Sequence, residues 1–549
     1  MRLSVPVKEE IASALEGAVR ELLPEGDLPD LELGRARNPD HGDYASPAGL
    51  KLAGILRRPP AEVAADLATR VRVPGRAASA EPAGGYVNFR LAPDWLRGLV
   101  GEVAATGSSY GSSRLGSGRR LQVEFVSINP TGPLHIGHGR GAILGDALAS
   151  LLAFTGHEVE REYYVNDYGT QAQKFGASLL ARLHGRQPPE GGYLGEYVTE
   201  IAEAARREIP GLAVMSPEVA TDRLVEYGSE RVLDMIRGSL EELGVRFDRW
   251  FSERSLWESG IAATAIERLE RSGHLVRREG AVWFVPPADD AESPAEDRVV
   301  IRSDGLHTYL GSELGYLLDR FEQRGYDRVI EVWGADHYGY VPRFRQSMAA
   351  LGLADDRMTI ILHQMVNLKE GRMSKRAGRF VALSELVERV GKDAVRYFYL
   401  LRSPGAMMDF DLELATSQGN ENPVYYAQYA HARLASVERF AAARELPTAA
   451  DPSLIGEEWE LDLARQVAVW PEAVDEAARL LEPHRIPYYV HDLADRVHAF
   501  YQAGNRDGRH RVVVDDAATT RARLELCRAA RHTLRSALDL MGVSAPDQM

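Results

Sequence analysis

The chain has 549 residues, with 65 lysines and arginines against 80 aspartates and glutamates, for a formal charge of −15. That length suits about three or four domains, and the mixture of apolar and charged residues is that of an ordinary globular protein. No apolar run approaches the roughly 18 residues that a membrane span needs, and the single cysteine, Cys527, excludes an internal disulfide framework or a cysteine-rich zinc site. The first segment, MRLSVPVKEEIASALEGAV, reads as an amphipathic helix with early acidic residues rather than a cleavable signal. The expectation is a cytoplasmic protein with no membrane contact. The acidic total argues only weakly against a nucleic-acid partner, because net charge does not fix the local field where phosphates dock. Lysine is scarce, so a lysine inside a motif carries weight.

Residues 1–105 read as a separate α/β domain. A helix from Val7 to Leu23 precedes a Pro-rich stretch and the string NPDHGDYAS (38–46). A helix to about Ala53 and another opening at Pro59-Pro60 follow, since proline suits a first turn. Gly84-Gly85-Tyr86-Val87-Asn88-Phe89 reads as a turn into a strand. Ala104 to Gly118, rich in Gly and Ser, reads as a linker.

A catalytic nucleotide-binding domain is expected over 106–410. Leu121 to Arg140, LQVEFVSINPTGPLHIGHGR, begins as an alternating strand and breaks at Asn129-Pro130-Thr131-Gly132-Pro133. It then resumes as a helix from about Arg140 to Phe154. A strand, a Pro/Gly turn and a helix N-terminus form a cradle for polyphosphate. His135 and His138 are spaced to address one triphosphate, and Gly137 lets a ribose or base lie against the backbone. A second strand, Glu158 to Val165, ends in Asn166-Asp167-Tyr168-Gly169. Strand–helix–strand implies a right-handed parallel crossover, with ligands at the carboxyl ends of the strands. A mainly helical insertion spans about 171–290 and closes with a hairpin around Glu279-Gly280. Further strands are expected at Val299–Arg302, Arg328–Trp333 and Thr359–Leu368, with a helix from about Gly311 to Arg324. Lys369 to Gly378 is a charged, glycine-bounded loop. From 411 to 549 the pattern is an all-α bundle that opens with NPVYYAQYAHAR (422–433), with later helices at about Glu457–Leu481, Ile486–Ala503 and Ala517–Met541.

The HIGH string and the Arg372-Met373-Ser374-Lys375-Arg376 loop resemble the two signatures of class I aminoacyl-tRNA synthetases. Together with Glu124, Asn129, NPDHGDYAS, GGYVNF, NPVYYAQYAHAR and the ending LDLMGVSAPDQM, they resemble the arginyl-tRNA synthetase family over nearly the whole chain. The resemblance implies a Rossmann-like parallel-sheet catalytic domain with a helical insertion, an N-terminal α/β domain on the tRNA, and a C-terminal anticodon-binding bundle. It implies ATP-dependent attachment of L-arginine to tRNA(Arg) through an arginyl-adenylate, with Mg²⁺ accompanying ATP and no tightly bound metal. A monomer is expected.

Such a reaction needs alignment and charge neutralisation rather than a nucleophilic side chain, because the substrate carboxylate already attacks phosphorus. His135, His138, Ser374 and Lys375 are the expected catalytic residues. Gly137, Gly334, Asp336, His337, Met365 and Val366 complete the expected ATP site. A guanidinium substrate needs facing carboxylates, and the resemblance puts the arginine pocket at Glu124, Ser127, Asn129, His135, Tyr309, Glu313 and His337. The family usually carries Arg-Asp where this chain has Ser312-Glu313, so the pocket must accommodate one extra methylene. Asn88, Phe89, Tyr425, Gln428 and Arg433 are the expected tRNA contacts, with the aromatics available for stacking on unpaired bases.

Overall fold

The computed structural model describes residues 6–73, 77–167, 170–287, 297–305, 308–369 and 381–549. They cluster into two compact units, one made of the chain ends (Met1–Leu115 with Ser417–Met549) and one of Gly116–Thr416. Ser374 and Lys375 lie outside the described residues, as do Tyr168, Gly169 and His307.

The first unit combines a four-stranded antiparallel sheet with a helical bundle. Strand Tyr86–Leu91 follows its Gly-Gly turn as expected and pairs with Tyr44–Ser46 on one side and Ala77–Ala83 on the other. The supposed linker is corrected. Its first residues belong to helix Pro93–Thr106. Tyr110 is buried, donates its hydroxyl to the Val467 carbonyl at 3.2 Å, and accepts the Trp470 indole N–H at 2.9 Å. Gly111 has φ +91°, and a Cβ there would lie 2.3 Å from Trp470 Cδ1. The glycine that suggested flexibility is present because a large ring packs against it. The expected single helix Glu457–Leu481 is two, Glu458–Ala468 and Trp470–Leu480, because Pro471 has no N–H to continue the first.

The second unit is built on a five-stranded sheet, and each neighbouring pair is parallel. In chain order the strands are β1 (Arg120–Phe125), β2 (Glu158–Val165), β3 (Arg249–Ser252), β4 (Arg328–Gly334) and β5 (Met358–His363). Their spatial order is β5-β4-β1-β2-β3. The chain winds outward through β2 and β3, then returns to the other side of β1. The switch point therefore lies between β1 and β4, where such sheets bind ligands. β3 falls inside the stretch expected to be a helical insertion, so the insertion contributes an edge strand to the main sheet. The expected strand Thr359–Leu368 is also divided, since Val366–Leu368 leaves the sheet to pair with Met408–Phe410.

The two faces of β1 differ in chemistry. Leu121, Val123 and Phe125 are buried, and the last packs on helix α1 (Ile136–Phe154). There Gly145 leaves so little room that a Cβ would lie 2.2 Å from the Phe125 ring. Gln122 and Glu124 project from the opposite face and are buried too. That face is covered by helix α2 (Tyr309–Leu318) and its π-helical continuation Asp319–Gln323, which supplies Arg320.

Candidate active site

β1 ends in a turn with two consecutive left-handed residues, Val126 at φ +72° and Ser127 at φ +39°. Such backbone costs free energy and persists only where its surroundings hold it. Here the Ser127 hydroxyl donates to Glu124 and accepts the Tyr164 N–H at 2.9 Å, and the Asn166 amide donates to the Ser127 carbonyl at 2.9 Å. Ser127 has therefore left the strand, and its side chain turns back onto the carboxylate.

The helix begins at Ile136, earlier than expected, because His135 is its N-cap. His135 Nδ1 accepts the Gly137 N–H at 3.1 Å, and His138 Nδ1 accepts the His135 N–H at 3.2 Å. The two rings stack with centroids 3.4 Å apart. Burial lowers the pKa of both, His138 to about 3 with help from His135 and His363. Both imidazoles are thus neutral, and because each Nδ1 accepts, each Nε2 carries the proton. The turn presents two N–H donors without a net charge.

A cavity of about 460 Å³ opens at the switch point, with His135, Gly137 and His138 on one side and Glu124, Glu253 and Glu313 on the other. Tyr309, Gly334, Asp336, His337 and Met365 also line it. Asp336 and His337 are exposed, 3.7 Å apart, and Val366 is buried beside the strand break. Asn129 is exposed and borders an adjoining cavity with Trp283, Arg298 and Arg343.

The acidic side is a row of carboxylates. Glu162 on β2, Glu124 on β1 and Glu331 on β4 are in register across three adjacent strands, all buried. The flanking two are satisfied. Glu162 accepts from Arg324 at 3.1 Å, from Gln122 at 2.7 Å and from the Tyr316 hydroxyl. Glu331 pairs with Arg320 and accepts the Trp333 indole N–H. Glu124, between them, has only the Ser127 hydroxyl among the described residues. Burial first, then the neighbouring Glu331, pushes its pKa up to about 8. It is therefore no surface ion pair.

Two further acids face the same cavity. Glu313 is half-buried, with its buried Oε1 unpartnered among the described residues, and desolvation raises its pKa to about 7. Glu253, just after β3, has Oε2 unpartnered among the described residues and is likewise raised to about 7 by burial. The sequence reading missed Glu253, along with Glu331 and Arg320. The signal available was the alternation of RWFS before it, which marks a strand whose carboxyl end reaches the site. A cavity wall with three carboxylates incompletely paired among the described residues fits a cationic group able to donate several hydrogen bonds.

In the other unit, Asn88 and Phe89 are buried within strand Tyr86–Leu91, Asn88 with 8% of its surface exposed and Phe89 with 1%. Tyr86 and Arg90 lie on the exposed face. Tyr425 is half-buried and stacked on Tyr429 at 5.8 Å. Arg433 sits over Tyr429 and Tyr501, and Gln428 donates to the Ser544 carbonyl at 3.0 Å.

Family comparisons follow the same order along the chain. Residues 7–91 match the arginyl tRNA synthetase N terminal domain, 100–192 the class I (R) catalytic domain, 336–429 class I (M) tRNA synthetases, and 427–549 the DALR anticodon binding domain. An arginine–tRNA ligase of Dehalococcoides mccartyi strain CBDB1 is 40% identical over 567 residues, covering 100% of both chains. One from Desulforudis audaxviator is 42% identical, covering 98% of each. The Thermus thermophilus arginyl-tRNA synthetase structure superposes with TM-score 0.80 at 25% identity, over 99% of this chain and 100% of that one.

Proposed function

The chain belongs to the arginyl-tRNA synthetase family and attaches arginine to tRNA(Arg) in translation, and from that premise we propose which of its residues carry the reaction. Glu124, Glu313 and Glu253 receive the guanidinium, and Tyr309 and Ser127 shape its approach. Arginine's carboxylate is thereby aimed at the α-phosphorus of ATP. His135 and His138 donate their Nε2 protons to the triphosphate, and the α1 N-terminus adds its backbone donors. Carboxylate oxygen bonds to phosphorus, pyrophosphate leaves, and a ribose hydroxyl of the tRNA then displaces AMP from the arginyl-adenylate.

Gly334, Asp336 and His337 border the nucleotide, with the backbone of Met365 and Val366 offered to adenine. Mg²⁺ enters as part of the ATP substrate. Asn129 holds the amino-acid end from the turn. Lys375 and Ser374 are assigned to the phosphates from sequence alone. Tyr425 and Arg433 are assigned to anticodon bases, consistent with their place in the bundle, and Gln428 to holding the chain end beside them. A cytoplasmic location is part of the same proposal, in keeping with tRNA and ATP as substrates.

One observation carries the arginine assignment. In a row of three buried carboxylates the outer two have counter-ions and the central one, Glu124, has none among the described residues. A buried carboxylate without a partner is costly, and a guanidinium in the cavity removes that cost. The experiment is charging of tRNA transcripts by the purified protein with each standard amino acid in turn. Arginine alone is expected to be attached; efficient charging with a different amino acid contradicts the assignment.

A further inference from the structure

Arg320 is an arginine side chain that the protein itself has buried one strand away from the place assigned to substrate arginine. It is fully buried, its guanidinium lies 3.8 Å above the Tyr316 ring, and one nitrogen is paired with Glu331. Its Nε and Nη2 are buried with no hydrogen-bond partner among the described residues. Glu331 and Glu124 are register partners on adjacent strands, whose backbones lie about 4.8 Å apart. Both Glu124 and Glu313 feel the Arg320 charge. Spare guanidinium donors and a carboxylate without a counter-ion among the described residues are therefore close in one buried row, with Glu331 paired to the first and in register with the second.

We propose that Glu331 is a specificity-determining positioning residue: by holding Arg320 to itself, it keeps the enzyme's own guanidinium out of the place beside Glu124 that the substrate's guanidinium takes. This rests on the assignment of Glu124 to the guanidinium. Glu331 is suited to the task because it is held from two sides, by Arg320 and by the Trp333 indole. Glu162 cannot substitute for it, since its oxygens are engaged by Arg324, Gln122 and Tyr316. Without the Glu331 charge, the carboxylates left to accept the spare donors of Arg320 are Glu124, the register neighbour of Glu331, and Glu313, and both belong to the place assigned to the substrate's guanidinium. The enzyme would then be inhibited by its own side chain, in competition with arginine.

The test is a cycle of E331Q, E124Q and E331Q/E124Q, with E331Q/R320M as rescue, in the full-length enzyme. Without substrate, E331Q is expected to fold and melt close to wild type, because the freed guanidinium re-pairs with Glu124. E331Q/E124Q, which leaves Arg320 only the Glu313 carboxylate of the cavity, is expected to melt lower than the two single changes predict together. In charging assays, E331Q raises KM for arginine about tenfold or more, with the loss falling on KM rather than kcat, and R320M in that background restores most of it. Failure of E331Q to fold, additive melting changes, or a KM defect that R320M leaves in place would each overturn the proposal. Coupled melting with no change in arginine KM would retain the Arg320–Glu124 pairing and instead remove Glu124 from the arginine site.

Discussion

The two ends of the switch-point cavity are both partly withdrawn from solvent and both shifted towards neutral, yet for opposite reasons. At the histidine end, burial pushes imidazoles down to neutral, and their acceptor nitrogens are satisfied by the helix they cap. That end is complete before a ligand arrives. At the acidic end, burial pushes carboxylates up towards neutral, and Glu124, Glu253 and Glu313 stay short of donors among the described residues. Burial alone thus does not define a binding site; the unmet hydrogen-bonding capacity does. The lesson is a division of labour, in which a pre-satisfied turn meets the nucleotide and an unsatisfied wall selects the cation.

Substitutions at each end should separate these roles. E124Q is expected to have the largest effect, lowering kcat/KM for arginine about a thousandfold, because a neutral amide cannot balance a buried guanidinium. KM for ATP should change little, and a comparable rise in it would break the comparison. H138A should act at the other end, lowering kcat about a hundredfold through a lost phosphate donor while arginine affinity holds. E313D should raise arginine KM by about fivefold, since the shortened arm withdraws the charge from a cavity built around a longer one. The smallest effect is one of pH. Glu124 must lose its proton to pair with a cation, and its pKa is raised to about 8. Arginine KM should therefore fall as pH rises from about 6.5 towards 8 and level off above it, the acids titrating as a coupled set. The histidines, whose burial favours the neutral form, should leave kcat without a matching transition. Steady-state charging kinetics across pH checks both halves.

Much of the histidine end was legible in the sequence because it is local. The Pro-Thr-Gly-Pro break, the spacing of His135 and His138, and Gly137 all lie within one strand–turn–helix passage. The start of the helix was misplaced because capping by a histidine side chain has no compositional signature. The acidic end was legible only in part. Glu124 and Glu313 were found by resemblance, but Glu331 and Glu162 look in sequence like the solvent side of alternating strands. Only the strand order, with β4 returning beside β1, puts them in one buried row. β3 was hidden for a similar reason, as four residues, RWFS, within a helical stretch. In the other unit, glycine and serine suggested a linker where Tyr110 and Gly111 pack on Trp470.

The central claim, that the Glu124 carboxylate, which has no counter-ion among the described residues, receives the substrate's charge, is tested most directly with arginine and citrulline, its neutral isostere. The quantity to measure is the ratio of their kcat/KM values in tRNA charging, for wild type and for E124Q. The account predicts strong wild-type preference for arginine and a fall in that ratio of about a hundredfold or more in E124Q. An E124Q enzyme that still prefers arginine as strongly as wild type would contradict it.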